Sequence, residues 1–171
     1  SDAEAVLLLK PDLAIVASYS KPEFVAQLEK ASLPVVRLTR FGGLHSIYEN
    51  IERLGSLVGE PTRASAMMEK MRAEIEKIRA TIPTPPSSAG GRRLRVLSLD
   101  VTGNVAGRGS IFDSIIELAG AVNVAAEQGV EGFGTVSAEQ VLVWNPDVIV
   151  VGGDPGEEPL FKTLKNRRIL V

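Results

Sequence analysis

The stretch Ala3–Val16, AEAVLLLKPDLAIV, recurs 135 residues later as Ala138–Val151, AEQVLVWNPDVIVV, without a gap and with 7 of the 14 positions identical. Most of the remaining differences exchange one apolar residue for another, so both copies specify the same local structure. Each predicts a short helix, which Pro11 or Pro146 stops, because proline disfavours helical geometry in the residue before it. Asp2 and Ser137 hold equivalent N-cap positions, and Ser137 with Gln140 has capping-box spacing. The runs Leu13–Ala17 and Val148–Val151 follow, β-branched-rich and apolar on both faces, as expected for buried parallel strands. The chain is thus built on an αβ unit used twice.

Between the copies the pattern stays α/β. Pro22–Lys30 predicts a helix, Pro34–Leu38 a strand and Ser46–Val58 a helix closed by Gly59. Pro61 opens a long helix to Ile82, in which Met67, Met68, Met71, Ile75, Ile78 and Ile82 recur on one face; core packing is the expected role of that stripe. PTPPSSAGG, Pro83–Gly91, has a linker's composition. Leu94–Leu99 then reads as a strand, Asp100–Gly109 as a glycine-rich loop and Ser110–Ala119 as a helix ended by Gly120.

Composition narrows the partners. The 171 residues are 44% hydrophobic and 23% charged with a net charge of −2, which gives no bulk electrostatic reason to bind nucleic acid or a membrane surface. The absence of cysteine removes thiolate zinc clusters, thiol nucleophiles and disulfides. No apolar run approaches the roughly 18 residues of a membrane span, and no signal-peptide pattern opens the sequence.

Catalytic constellations are poor. His45 is the single histidine, and no carboxylate pair or nucleophile-base pair follows from spacing, so the residues leave an enzyme open but unsupported. The loop Val101–Ser110 lies between a strand and a helix, and its N–H groups suit an anion, but it lacks the P-loop ending and the dinucleotide glycine pattern. Arg108 either strengthens such a pocket or is simply solvated. Asp100 and Asp154 sit at or beyond strand ends, where ligand contacts and turn caps both occur. Tyr19, Phe41 and Phe133 fall in loops beside strands or the second repeat helix, and aromatic faces there suit either a large organic ligand or loop anchoring. Glu4 and Glu139 lie in the first turns of the repeat helices, where the helix dipole alone favours a carboxylate.

Taken together, AEAVLLLKPDLAIV, VSAEQVLVWNPDVIVVGG, AGRGSIFDSIIELAGAVNVAA and SIYENIERLGSLVGEPTRASAMMEKM resemble the substrate-binding proteins of ABC importers for iron-siderophore, haem and vitamin B12, the class III periplasmic binding proteins. The resemblance covers nearly the whole chain in the family's order. It implies two Rossmann-like lobes with parallel sheets, bridged by the helix 61–82, with ligand in the cleft between them. A partial N-terminal lobe would span 1–43, helices 44–82, a linker 83–92 and the C-terminal lobe 93–171. The family pattern has a further βαβ segment ahead of Ala3 and a strand and helix beyond Val171, so the chain corresponds to a member shortened at both ends, with any signal or lipid anchor outside it.

The same resemblance implies a ligand and a partner. The ligand would be a metal chelate, a ferric siderophore first and cobalamin or haem next, with no intrinsic cofactor or bound metal. By motif position Phe133 matches a cleft aromatic, the loop with Asn104 and Arg108 matches a cleft wall, and Tyr19, Arg40 and Phe41 complete the expected cleft set. Glu4 and Glu139 match the glutamates that dock onto permease arginines. Location is expected to be periplasmic or extracellular and membrane-anchored. The alternative of another class is a Rossmann-like enzyme that holds a phosphate on the loop around Gly107.

Overall fold

The computed structural model describes residues 3–82, 92–152, 164 and 168–170. Asp2, Asp154 and the linker-like Pro83–Gly91 lie outside them. The chain divides into two compact units, Ser1–Phe41 and Gly42–Val171.

In the first unit, helix α1 (Ala3–Leu8), strand β1 (Ala14–Ala17), helix α2 (Pro22–Lys30) and strand β2 (Val35–Leu38) follow in order. The two strands pair in parallel, Ala14 opposite Val35 through Ala17 opposite Leu38. Ala3, Leu28 and Leu33 form a small core, with Val6, Leu7, Ala14, Phe24 and Val35 packed against it. The sequence suggested a strand apolar and buried on both faces, but Ile15 of β1 is 43% exposed. Among the described residues of this unit, two strands and two short helices provide cover for only one face.

The second unit opens with helices α3 (Gly43–Leu57) and α4 (Pro61–Thr81). Gly55 on α3 lets Ala64 of α4 seat against it, and Arg72 of α4 lies 4.9 Å over the Tyr48 ring of α3. Here the stripe departs from expectation. Ala64 is the buried residue of α4, whereas Met67 is 49% and Ile78 59% exposed. The close helix contact is made by the small residues Gly55 and Ala64, and Met68, Met71, Ile75 and Ile82 of the stripe are only half-buried.

Beyond it come β3 (Arg95–Leu99), β4 (Asn104–Ala106), α5 (Ile111–Leu118), β5 (Val122–Asn123), α6 (Val124–Glu127), β6 (Phe133–Thr135), α7 (Ala138–Trp144), β7 (Val148–Val151) and β8 (Arg168–Leu170). Strands β5, β3, β7 and β8 form a parallel sheet in that order. Its core holds Leu97, Leu99, Val141, Ile149 and Leu164, each worth about 1.5–3 kcal/mol when fully buried. The stretch expected to be a plain loop after Leu99 contains β4, which pairs antiparallel with β6.

The repeat extends to backbone geometry. Lys10 and Asn145, the residues before Pro11 and Pro146, are both left-handed, with φ of 49° and 51°. Helix α1 ends at Leu8 and α7 at Trp144, and in each copy a left-handed residue directly ahead of the proline takes a conformation that a continuing helix does not. Ser137 makes the expected capping box with Gln140.

Arginines tie the amino ends of the second unit's strands. Asp147 accepts two hydrogen bonds from Arg92, at 2.6 and 2.7 Å, and one from the Arg95 N–H at 2.8 Å. The Arg92 guanidinium, against some desolvation, holds the Asp147 carboxyl below its ordinary range. Arg95 also donates to the Trp144 and Asn145 carbonyls and pairs with Glu127, while Arg93 donates to the Gly120 and Ala121 carbonyls. The carboxyl ends are left to the loops that hold the candidate residues.

Candidate functional site

Parallel sheets offer ligand-contacting loops at their carboxyl ends. In the first unit, Tyr19 follows β1 and Phe41 follows β2. The fold brings the two rings together at a centroid distance of 5.2 Å and a tilt of 58°. Both stay open to solvent, at 78% and 47% exposure, and Arg40 beside them is exposed. A loop anchor is covered by the unit it anchors, and neither ring is fully covered in that way.

In the second unit the β4–β6 ribbon performs the equivalent placement. Ala106 stands opposite Phe133 and Asn104 opposite Thr135, so Asn104, Phe133 and Thr135 share one face. Phe133 is 76% exposed. Asn104 is fixed instead of free: its amide donates to Asp100 at 2.8 Å and to the Thr102 hydroxyl at 2.7 Å, and its oxygen accepts from Thr135 at 3.2 Å.

Asp100 organises the turn into this ribbon. Its Oδ1 accepts from the Thr102 N–H and hydroxyl and from the Asn104 N–H. Desolvation pushes its pKa up, but the hydrogen bonds from Thr102 and Asn104 outweigh this and bring it down to about 2 from 3.8. A carboxylate lowered in the folded state contributes stability that is fully present above its unfolded pKa and is lost as pH falls through the folded one. Asp100→Asn is therefore expected to destabilise the protein at neutral pH, with the deficit shrinking between pH 3.8 and about 2. Denaturation of both proteins at several pH values tests this, and a deficit independent of pH would contradict it.

The Gly107–Ser110 loop beside the ribbon is held from beneath. Gly107 N–H donates to the Gly132 carbonyl at 2.7 Å, Arg108 N–H to Val130 at 2.8 Å, Gly109 N–H to the Asp113 carboxylate at 2.9 Å and Ser110 N–H to Gly107 at 3.3 Å. All four amides are thus spent within the protein. The phosphate cradle that the enzyme alternative needs is not available here, and the buried carboxylate of Asp113 in the first turn of α5 further disfavours an anion. Asn123 completes the support: its amide donates to the Ala106 carbonyl and to Asp113, both at 3.0 Å, and its oxygen caps α6.

Arg108 is half-tethered. One N–H donates to the Ala126 carbonyl at 3.1 Å and Nε lies 3.2 Å from Glu131, while the side chain as a whole stays 61% exposed. Glu131 offsets part of its charge. Sequence reading missed Asp113, Asn123 and Glu131; the Ser110-x-x-Asp113 cap spacing was the available signal for the first.

Glu4 and Glu139 are both exposed, in the first turns of α1 and α7. Hydrogen bonds from Ser137 and from its own backbone N–H lower the Glu139 pKa. His45 is 85% exposed and 3.2 Å from Glu49 one turn on. Among the described residues, no group of three or more His, Cys, Asp or Glu could hold a metal ion, and no helix is long and apolar enough to cross a membrane.

Comparison with known proteins places this geometry. The sequence profile described as "Periplasmic binding protein" matches residues 1–169. A cobalamin-binding protein of Halobacterium salinarum is 28% identical over 153 residues, 89% of this chain and 40% of the relative. A vitamin B12-binding protein of Pectobacterium carotovorum is 28% identical over 98% of this chain and 60% of its own length, and a molybdate-binding protein of Haemophilus influenzae is 28% identical over 86% and 46%. The chain thus spans roughly half the length of these curated relatives. Among solved structures, the apo periplasmic heme-binding protein of Roseiflexus sp. RS-1 matches at a TM-score of 0.78 and 28% identity, over 99% of this chain and 69% of that one. A periplasmic heme-binding protein of Pseudomonas aeruginosa matches at 0.73 and 28%, over 98% and 60%. The α/β fold of parallel sheets, read from the repeat, is the fold of these proteins.

Proposed function

Because the chain belongs to the periplasmic binding protein family, we propose that it captures an organic metal chelate outside the cytoplasm and delivers it to the permease of an ABC importer, with no chemical step of its own. The observation that carries the chelate is the set of open aromatic side chains: Tyr19 and Phe41, which follow β1 and β2 in one unit, and Phe133 on the β4–β6 ribbon in the other. Large organic ligands use such rings, whereas a bare oxyanion needs free N–H donors, and those of the Gly107–Ser110 loop are committed.

Ferric siderophores are the first reading, because the exposed guanidinium of Arg108 suits their acidic groups. Cobalamin or haem is the second, favoured by the names of the relatives and by the flat aromatic surfaces. Phe133→Ala and Tyr19→Ala are each expected to weaken chelate binding about tenfold, ~1.4 kcal/mol, without loss of fold, since both rings are largely exposed. Chelate titrations of the intact gene product test this. Unchanged affinity in both variants would overturn the aromatic assignment.

For delivery, Glu4 and Glu139 serve as the docking carboxylates, one per unit, each meeting a permease arginine. Their equivalence within the repeat supports a paired role better than the helix dipole does, because the dipole explains either one alone.

A further inference from the structure

The repeat helices carry more than their glutamates. Leu8 on α1 is 81% exposed and Val143 on α7 is 82% exposed, which with Leu9 makes them the most exposed large apolar residues among those described. Leu8 lies four residues after Glu4, and Val143 four after Glu139; they are equivalent positions of the repeat. At that spacing a helix sets the two side chains one above the other on the same face. Leu9 does not share the pattern, since its counterpart Trp144 packs against the core of the second unit. Neighbouring α2, by contrast, exposes the polar Glu23, Gln27 and Lys30.

We propose that each repeat helix docks through two adjacent contacts, a carboxylate and an apolar side chain one turn on: Glu4 with Leu8, and Glu139 with Val143. The matching partner is a permease surface that sets a basic side chain beside an apolar hollow. This rests on the docking role proposed for the glutamates and adds to it. An exposed ion pair alone gains little in water and is screened by salt. An apolar contact beside it excludes water, which strengthens the charge-assisted bond and adds a part of the affinity that salt does not weaken.

The test uses the intact gene product and its permease in proteoliposomes. Leu8→Asn and Val143→Thr keep side-chain shape, and at these exposures leave folding and chelate affinity unchanged. Each is expected to lower permease affinity about tenfold with the salt dependence intact, whereas Glu4→Gln and Glu139→Gln lower affinity and flatten the salt dependence. If the apolar variants bind the permease as well as the parent while the glutamine variants do not, the apolar contact is overturned and the docking glutamates stand. If neither pair changes affinity, both ideas are overturned. If the apolar variants instead convert a self-associated protein to monomer with permease affinity unchanged, the surface belongs to a second copy and the proposal fails.

Discussion

Replacing Glu4 and Glu139 together by alanine in the intact gene product is expected to abolish uptake, with chelate affinity within about threefold of the parent. The asymmetry follows from placement. Both carboxylates stand at exposed helix starts, one in each unit, whereas the aromatic rings proposed for the ligand follow β1 and β2 or lie on the β4–β6 ribbon. If the proposed docking holds, removing the carboxylates deletes two charge-assisted contacts with the permease and none with the proposed ligand residues. Either single variant is then expected to retain partial uptake. Transport assays in whole cells, with affinity measured separately on purified protein, decide it; uptake that survives the double change would remove the paired-glutamate account.

The second large effect is structural. Gly107→Ala is expected to destabilise the protein by roughly 3 kcal/mol and to weaken chelate binding with it. A Cβ at this position would overlap the Val130 carbonyl, the group that accepts the Arg108 N–H. Accommodating it means opening the clamp between the Gly107–Ser110 loop and the Val130–Gly132 segment, and displacing Val130 from its place against the core. Gly120→Ala is the matched control: Gly120 has a φ of 73° and open space around it, so its cost is conformational alone, about 1–2 kcal/mol. Chemical denaturation compares the two. If Gly107→Ala costs no more than Gly120→Ala, the clamp does not hold the loop as described.

The sequence carried the fold through the repeat and the apolar strand runs, because parallel strands and capped helices are specified locally. Ser137 with Gln140, and the strand Val148–Val151, needed no tertiary information. The β4–β6 ribbon was hidden because each strand has three residues and contains or adjoins glycine, so neither shows a strand's alternation over a useful length; only their pairing makes them strands. The long helix misled in a different way. Helical spacing predicted the Met67–Ile82 stripe, but which residues meet α3 is decided by the close approach of Gly55 and Ala64, a tertiary fact. At the site, the types and loop positions of Tyr19, Phe41, Asn104, Arg108 and Phe133 could be read directly. The tilted contact of Tyr19 with Phe41, the tethering of Arg108 by Ala126 and Glu131, and the Asp113–Asn123 support could not, since each joins residues whose separation no local pattern encodes.

Calorimetric titration of the intact gene product with a panel of ferric siderophores, haem and cobalamin, and with molybdate and ATP as counter-ligands, separates chelate capture from oxyanion or nucleotide binding. Trp144 is a poor reporter for this purpose, since its carbonyl meets Arg95 at the amino end of the sheet, away from the ligand loops. The account predicts micromolar or tighter binding of at least one chelate, weakened by Phe133→Ala, with molybdate and ATP inert. Tight molybdate or ATP binding with no chelate response would contradict it.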